Sequence, residues 1–141
     1  MTNGHVVEME LIRIIIDETR LEQVVVLREK SGERTLPIVI GTNEATAIKM
    51  EISGIHPPRP LTHDLLRSTI ESLGATVDRI VIDSLKANTF FAKLYLKNST
   101  EKPLIVDARP SDSIALAVRT RAPIFVSEDV LEKIGKIDSE S

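Results

Sequence analysis

The chain has 141 residues, 42% apolar and 28% charged, with no cysteine, which describes one globular domain and excludes disulfides, thiol catalysis and cysteine-held zinc. Its longest apolar runs, Ile14 to Ile16 and Val24 to Leu27, fall far short of the roughly 20 residues needed to cross a bilayer; with no basic-then-apolar leader over Met1 to Glu10, neither a membrane span nor a signal peptide is expected and a cytoplasmic location is the default. The net charge of −3 is uneven, with six basic and nine acidic groups over 1–56, ten and seven over 57–123, and two and five over 124–141, so contact with a polyanion must be local and confined to the middle, because non-specific nucleic-acid binding calls for a basic excess.

β-Branched enrichment and alternation predict strands over 6–16, 23–28 and 35–40. A helix over 43–53 follows, with Ala45, Ile48 and Ile52 along one stripe and Gly54 as its stop. His56-Pro57-Pro58-Arg59-Pro60 is a stiff connector, since proline lacks an N–H and restrains its predecessor. The next helix spans 62–73, with Leu65, Leu66, Ile70 and Leu73 as its inner stripe and Gly74 at its end. Strands are then predicted over 76–83, 89–97 and 103–108. In the second of these Phe90, Ala92, Leu94 and Leu96 share one face and Phe91, Lys93, Tyr95 and Lys97 the other. A helix over 111–121 is apolar all round at Ile114 to Val118 and so should be buried on most sides. A short strand over 123–126, a last helix over 127–134 and a fraying tail from Gly135 close the chain.

The halves resemble each other. A shift of 68 residues lays Val24–Leu27 on Ala92–Tyr95, Ser31–Arg34 on Ser99–Lys102, Leu36–Ile40 on Leu104–Ala108 and Glu44–Ile48 on Asp112–Leu116. The expected fold class is therefore α+β: internally duplicated β-β-β-α units with an extra helix between the halves, in mostly antiparallel or mixed sheets with packed helices. One domain over 1–135 is expected, with halves at 6–54 and 76–121, a connector and helix at 55–74, and a frayed tail at 136–141.

Three segments concentrate reactive groups, each where a helix begins: Gly41-Thr42-Asn43-Glu44, Arg59-Pro60-Leu61-Thr62-His63-Asp64 and Asp107-Ala108-Arg109-Pro110-Ser111-Asp112. Thr62, Ser111 and either Thr42 or Asn43 suit helix caps, and Asp64, Asp112 and Glu44 suit first-turn acids. Capping does not account for Asp107, Arg109 or His63. Taken together, the acids suit Mg²⁺ or Mn²⁺, His63 suits proton transfer, and Arg59 and Arg109 suit phosphate oxygens. His5 and His56 read as surface or loop residues. The Phe91, Lys93, Tyr95, Lys97 face interleaves aromatic and basic groups as single-strand binders do, though a face covered by a helix or another subunit explains it as simply. There is no H-E-x-x-H, Walker loop, G-x-S-x-G or nucleotide-binding glycine fingerprint.

Leu36-Pro37-Ile38-Val39-Ile40-Gly41, Glu44-Ala45, Arg59-Pro60-Leu61-Thr62-His63-Asp64-Leu65, Thr89-Phe90-Phe91-Ala92 and the run Asp107 to Leu116, in this order, resemble the bifunctional nuclease (BFN) domain family over residues 6–134. The resemblance implies a nuclease acting on DNA and RNA. On the motif positions, divalent metal is assigned to Asp64, Asp107 and Asp112, with Glu44 assisting. His63 is assigned as general acid or base, and Arg59 and Arg109 as phosphate holders. The alternative is a non-catalytic oligomeric binding or scaffold module whose acids serve as caps and ion pairs. On either reading a homo-oligomer, most simply a dimer, is expected, because exposed sheet edges in a small chain call for a partner.

Overall fold

The computed structural model describes residues 5–17, 19–100 and 102–140, the side chains of 137–140 excepted. In chain order the elements are β1 (Val6–Ile15), β2 (Glu22–Glu29), β3 (Thr35–Gly41), α1 (Thr42–Ile52), α2 (Thr62–Ser72), β4 (Thr76–Lys86), β5 (Thr89–Lys97), β6 (Leu104–Ala108), α3 (Pro110–Thr120), β7 (Ile124–Ser127) and α4 (Glu128–Glu140). The strands form one seven-stranded mixed sheet in the order β3-β2-β1-β7-β4-β5-β6. Two antiparallel meanders, β1-β2-β3 and β4-β5-β6, are joined by β7, which runs antiparallel to β1 and parallel to β4. The fold is α+β.

Alternation explains which face of the sheet is covered. In β3, Leu36, Ile38 and Ile40 are buried while Leu36's neighbours Thr35 and Pro37 are exposed. Met9, Val25, Leu27, Ile80, Ile82, Ala92, Leu94, Ile124 and Val126 continue that apolar face across the sheet. Helices seal it through Ala45, Ile48, Ile114, Ala115, Leu116, Val130 and Leu131. The β4–β5 hairpin turns on Ala87 and Asn88, both at positive φ, the two-residue geometry that matches strand twist.

α3 lies at the centre, packed against α1, α2, β4 and β5. The expected all-round burial holds from Ser113 to Ala117. Ser113, Ala115 and Ala117 are small, which lets these four neighbours approach one helix.

Two predicted stripes need correction. Ile48 of α1 is buried but Ile52 is exposed. In α2 only Ile70 of the predicted leucine-rich stripe is buried; Leu65, Leu66 and Leu73 are exposed, and His63 is inside instead. The rotation of α2 follows two polar contacts at its first turn, His63 to Asp112 and Asp64 to Arg119. The leucines follow from that anchoring. α4 extends past its expected end at Ile134, running as helix to Glu140.

The two sheet edges differ. β3 carries Pro37 at its middle, a residue that cannot donate to a further strand. β6 presents Leu104, Ile105 and Val106, all exposed. Among the described residues no helix packs extensively on β6, and a groove of about 1230 Å³ opens between its inward face, α2 and the first turns of α1 and α3.

Candidate functional site

The groove ends where α1, α2 and α3 begin. Their N-caps are Gly41, Leu61 and Arg109, and none forms a side-chain cap hydrogen bond. Thr42 and Thr62 are thus first helical residues rather than caps, with Pro110 in the same place in α3. Glu44, Asp64 and Asp112 fall at one equivalent position, the third of each helix.

That position lets an acid reach back to the N-cap amide. Asp64 does so, its Oδ2 accepting from the Leu61 amide at 2.8 Å. Glu44 and Asp112 turn instead to Arg109. The guanidinium donates from Nε to Asp112 Oδ2 at 2.9 Å, and its Nη2 lies 2.8 Å from Asp112 Oδ2 and 3.3 Å from Glu44 Oε2. Asp112 Oδ1 is in turn 2.9 Å from His63 Nε2. One chain of contacts, His63–Asp112–Arg109–Glu44, therefore links three helix starts and borders the groove.

Exposure differs along this chain. The side chains are 9% exposed for His63, 31% for Asp112, 18% for Glu44 and 64% for Arg109. His63 is buried against Asp112 and Arg109 reaches into solvent. Asp112 first, then Glu44, raises the Arg109 guanidinium above its ordinary value, so it stays charged. Gly41 makes this layout possible: a Cβ there would overlap Glu44 Oε1, while the Gly41 φ of −74° is ordinary for any residue.

Asp64 belongs to a second network. Its Oδ1 accepts from Arg119 Nε at 2.7 Å, and Arg119 also donates to the carbonyls of Ala115 and Ala47. With its side chain 3% exposed, Arg119 bolts the three helices together from inside. Burial alone would raise the Asp64 carboxyl, but the Leu61 amide and the Arg119 guanidinium outweigh it and hold it below the usual range. Glu29 and Glu128 are likewise lowered, each chiefly by a hydrogen bond from Arg34. A carboxyl depressed on folding contributes stability above its unfolded value near 4, which is lost as pH falls through the folded value. The urea midpoint should be flat above about pH 5 and fall steadily below pH 4, less steeply in Asp64→Asn.

The remaining predicted residues lie elsewhere. Asp107, at the rim of the groove, is opposite Lys93 in the β5–β6 register, so its carboxylate leaves the face of Ala108 and comes within 3.7 Å of Lys93 Nζ. Lys93 also pairs with Asp83 at 3.4 Å. Arg59 is exposed in the connector and makes no ion pair or hydrogen bond among the described residues. On the aromatic–basic face, Arg79 stacks 3.9 Å from the Tyr95 ring centre and Lys86 lies 5.9 Å from that of Phe91. Those rings are already occupied by the chain's own cations.

Matching to family models places residues 25–139 in the bifunctional nuclease domain. The chain belongs to the bifunctional nuclease domain family. An uncharacterized protein of Mycobacterium tuberculosis is 43% identical over 128 residues, covering 91% of this chain and 76% of that protein. Bifunctional nuclease 2 of Oryza sativa subsp. japonica is 29% identical over 114 residues, and bifunctional nuclease 2 of Arabidopsis thaliana is 27% identical over 107. These alignments cover 79% and 74% of this chain and 35% and 32% of the plant proteins, so the chain spans about a third of their length.

In this bifunctional nuclease domain the carboxylates assigned to metal are not gathered. Asp64 is taken by Leu61 and Arg119, Asp107 by Lys93, and both oxygens of Asp112 by His63 and Arg109. Among the described residues no group of three or more His, Asp or Glu side chains is placed to hold an ion. The donor set does not fit an octahedral centre shared by these three acids. Asp107→Asn should accordingly leave stability within about 1 kcal/mol of wild type, since an exposed pair such as that with Lys93 is a minor contribution; the urea midpoint checks this. No helix among the described residues is long and apolar enough to cross a membrane.

Proposed function

We propose that this chain is a nuclease that cleaves phosphodiester bonds of single-stranded nucleic acid, with His63, Asp112, Arg109 and Glu44 as its reacting centre. The observation that carries the reading is the convergence of these four side chains from three helix starts at the mouth of the groove. Family membership and the names of the plant relatives support it. Arg109 holds a phosphate oxygen. Asp112 fixes the His63 ring through Nε2. No hydrogen bond to His63 Nδ1 is formed among the described residues, and that nitrogen is not sealed from solvent, so it is the one available to move a proton.

The test is cleavage of single-stranded RNA and DNA by the purified chain, with Mg²⁺, Mn²⁺ or EDTA. Cleavage lost in His63→Asn and Arg109→Ala supports the reading; wild-type protein inert on both strands under all three conditions ends it. A second reading has its own observation. Glu44, Asp64, Asp107 and Asp112 all have a cation or an amide as partner, as in a scaffold whose acids are caps and ion pairs. Under that reading Arg109→Ala changes the melting temperature and no reaction is found. With either, we propose a dimer joined through the uncovered β6 edge; light scattering then gives about twice the 15.6 kDa of one chain.

A further inference from the structure

We propose that the site cuts RNA by attack of the strand's own 2′-hydroxyl on the adjacent phosphorus, with Glu44 as base and His63 as acid; this rests on the nuclease reading above. Hydrolysis by water activated between clustered carboxylates needs several acids with free oxygens facing one another, and here both oxygens of Asp64 and of Asp112 are engaged by guanidinium, imidazole or amide. RNA brings its own nucleophile. What it then needs from a protein is a base, an acid, one phosphate holder and a seat for a base ring.

The four requirements are met within one groove. Arg109 commits Nε and Nη2 to Asp112 and Glu44, while its Nη1 has no partner among the described residues and points from a side chain that is 64% exposed. Glu44 gives only Oε2 to Arg109 and folds Oε1 back over the bare Gly41. His63, fixed at Nε2, presents Nδ1. Beyond them Leu66, Phe90, Leu94 and Val106 line an apolar slot suited to a base ring rather than to a run of phosphates. One accessible guanidinium matches one scissile phosphate, which agrees with a chain of net charge −3.

In the step, the 2′-hydroxyl proton passes to Glu44 and the 2′-oxygen–phosphorus bond forms. The bond from phosphorus to the 5′-oxygen breaks. The departing oxygen keeps the electron pair and takes a proton from His63 Nδ1. The products are a 2′,3′-cyclic phosphate and a 5′-hydroxyl, with Glu44 protonated and His63 neutral until both exchange protons with water.

The experiment uses the full chain in EDTA with three matched single-stranded oligonucleotides: all-RNA, RNA with one 2′-deoxynucleotide, and all-DNA. The expected result is cleavage of RNA at every accessible site except 3′ to the deoxynucleotide, with 2′,3′-cyclic phosphate and 5′-hydroxyl ends by mass spectrometry. Glu44→Gln should lower the rate on the order of 100-fold. Gly41→Ala, which displaces the Glu44 carboxylate at an unstrained backbone, should fold as wild type and lose at least about tenfold. Cleavage at the deoxynucleotide, or 5′-phosphate ends, overturns the 2′-hydroxyl route while leaving a nuclease. A Gly41→Ala rate equal to wild type overturns the role given to Glu44. Absence of cleavage of any strand, in EDTA or with Mg²⁺ or Mn²⁺, overturns both this proposal and the nuclease reading.

Discussion

Arg119→Ala should destabilise the fold by about 3–5 kcal/mol, the range for breaking a buried charge network by removing one partner. Arg119 hydrogen-bonds to all three helices bordering the groove: Asp64 of α2, the Ala47 carbonyl of α1 and the Ala115 carbonyl of its own helix. Truncation takes the guanidinium donors from the Ala47 and Ala115 carbonyls and the cation from Asp64, and leaves a cavity where the buried side chain was. Arg119→Lys should recover only part of the loss, because an ammonium cannot reach three acceptors in the planar fork that a guanidinium supplies. Arg119→Met keeps volume and should fall between. Urea denaturation measures the series. A value for Arg119→Ala within about 1 kcal/mol of wild type contradicts the role assigned here.

Arg109→Ala should do the reverse: stability within about 1 kcal/mol of wild type, and cleavage reduced by roughly 100- to 1,000-fold, the loss typical of removing one donor that stabilises transition-state charge. The guanidinium is mostly solvent-exposed, and Glu44 and Asp112 can both take up water once it is gone. Its two ion pairs therefore contribute little to folding. Arg109→Lys should restore charge but not the fork, giving partial rescue of rate. Paired measurements of melting temperature and initial rate separate the two arginines. If Arg109→Ala lowers the melting temperature as far as Arg119→Ala does, the Arg109 cluster is a structural bolt.

The order of elements was legible because strand alternation and helix stripes are local. Thr89–Lys97 occupies its predicted span, and the remaining strands lie close to theirs. β7 inserting between β1 and β4 was not legible, since four residues joining two meanders is a long-range pairing with no local mark. The leucines of α2 misled for a related reason. Periodicity reports an apolar face but not what that face meets, and here polar contacts at His63 and Asp64 set the helix rotation. Within the candidate site, Glu44, His63, Arg109 and Asp112 were all picked out and the structure brings them together. Asp64 and Asp107 were grouped with them on chemistry alone, and a one-residue parity on β6 sends Asp107 to the other face. Arg119 was passed over, although a lone charge closing the run Ile114 to Val118 is the signal for a buried cation needing an acid.

Resonance-specific NMR with a 2′-O-methyl RNA strand, which binds but cannot react through its 2′-oxygen, locates the ligand most directly. Shifts of the His63 imidazole and the Arg109 guanidinium, with weaker ones along Phe90 and Val106, are the predicted result. Changes confined to Lys93, Tyr95 and Lys97 on the opposite sheet face, with His63 unmoved, contradict the account.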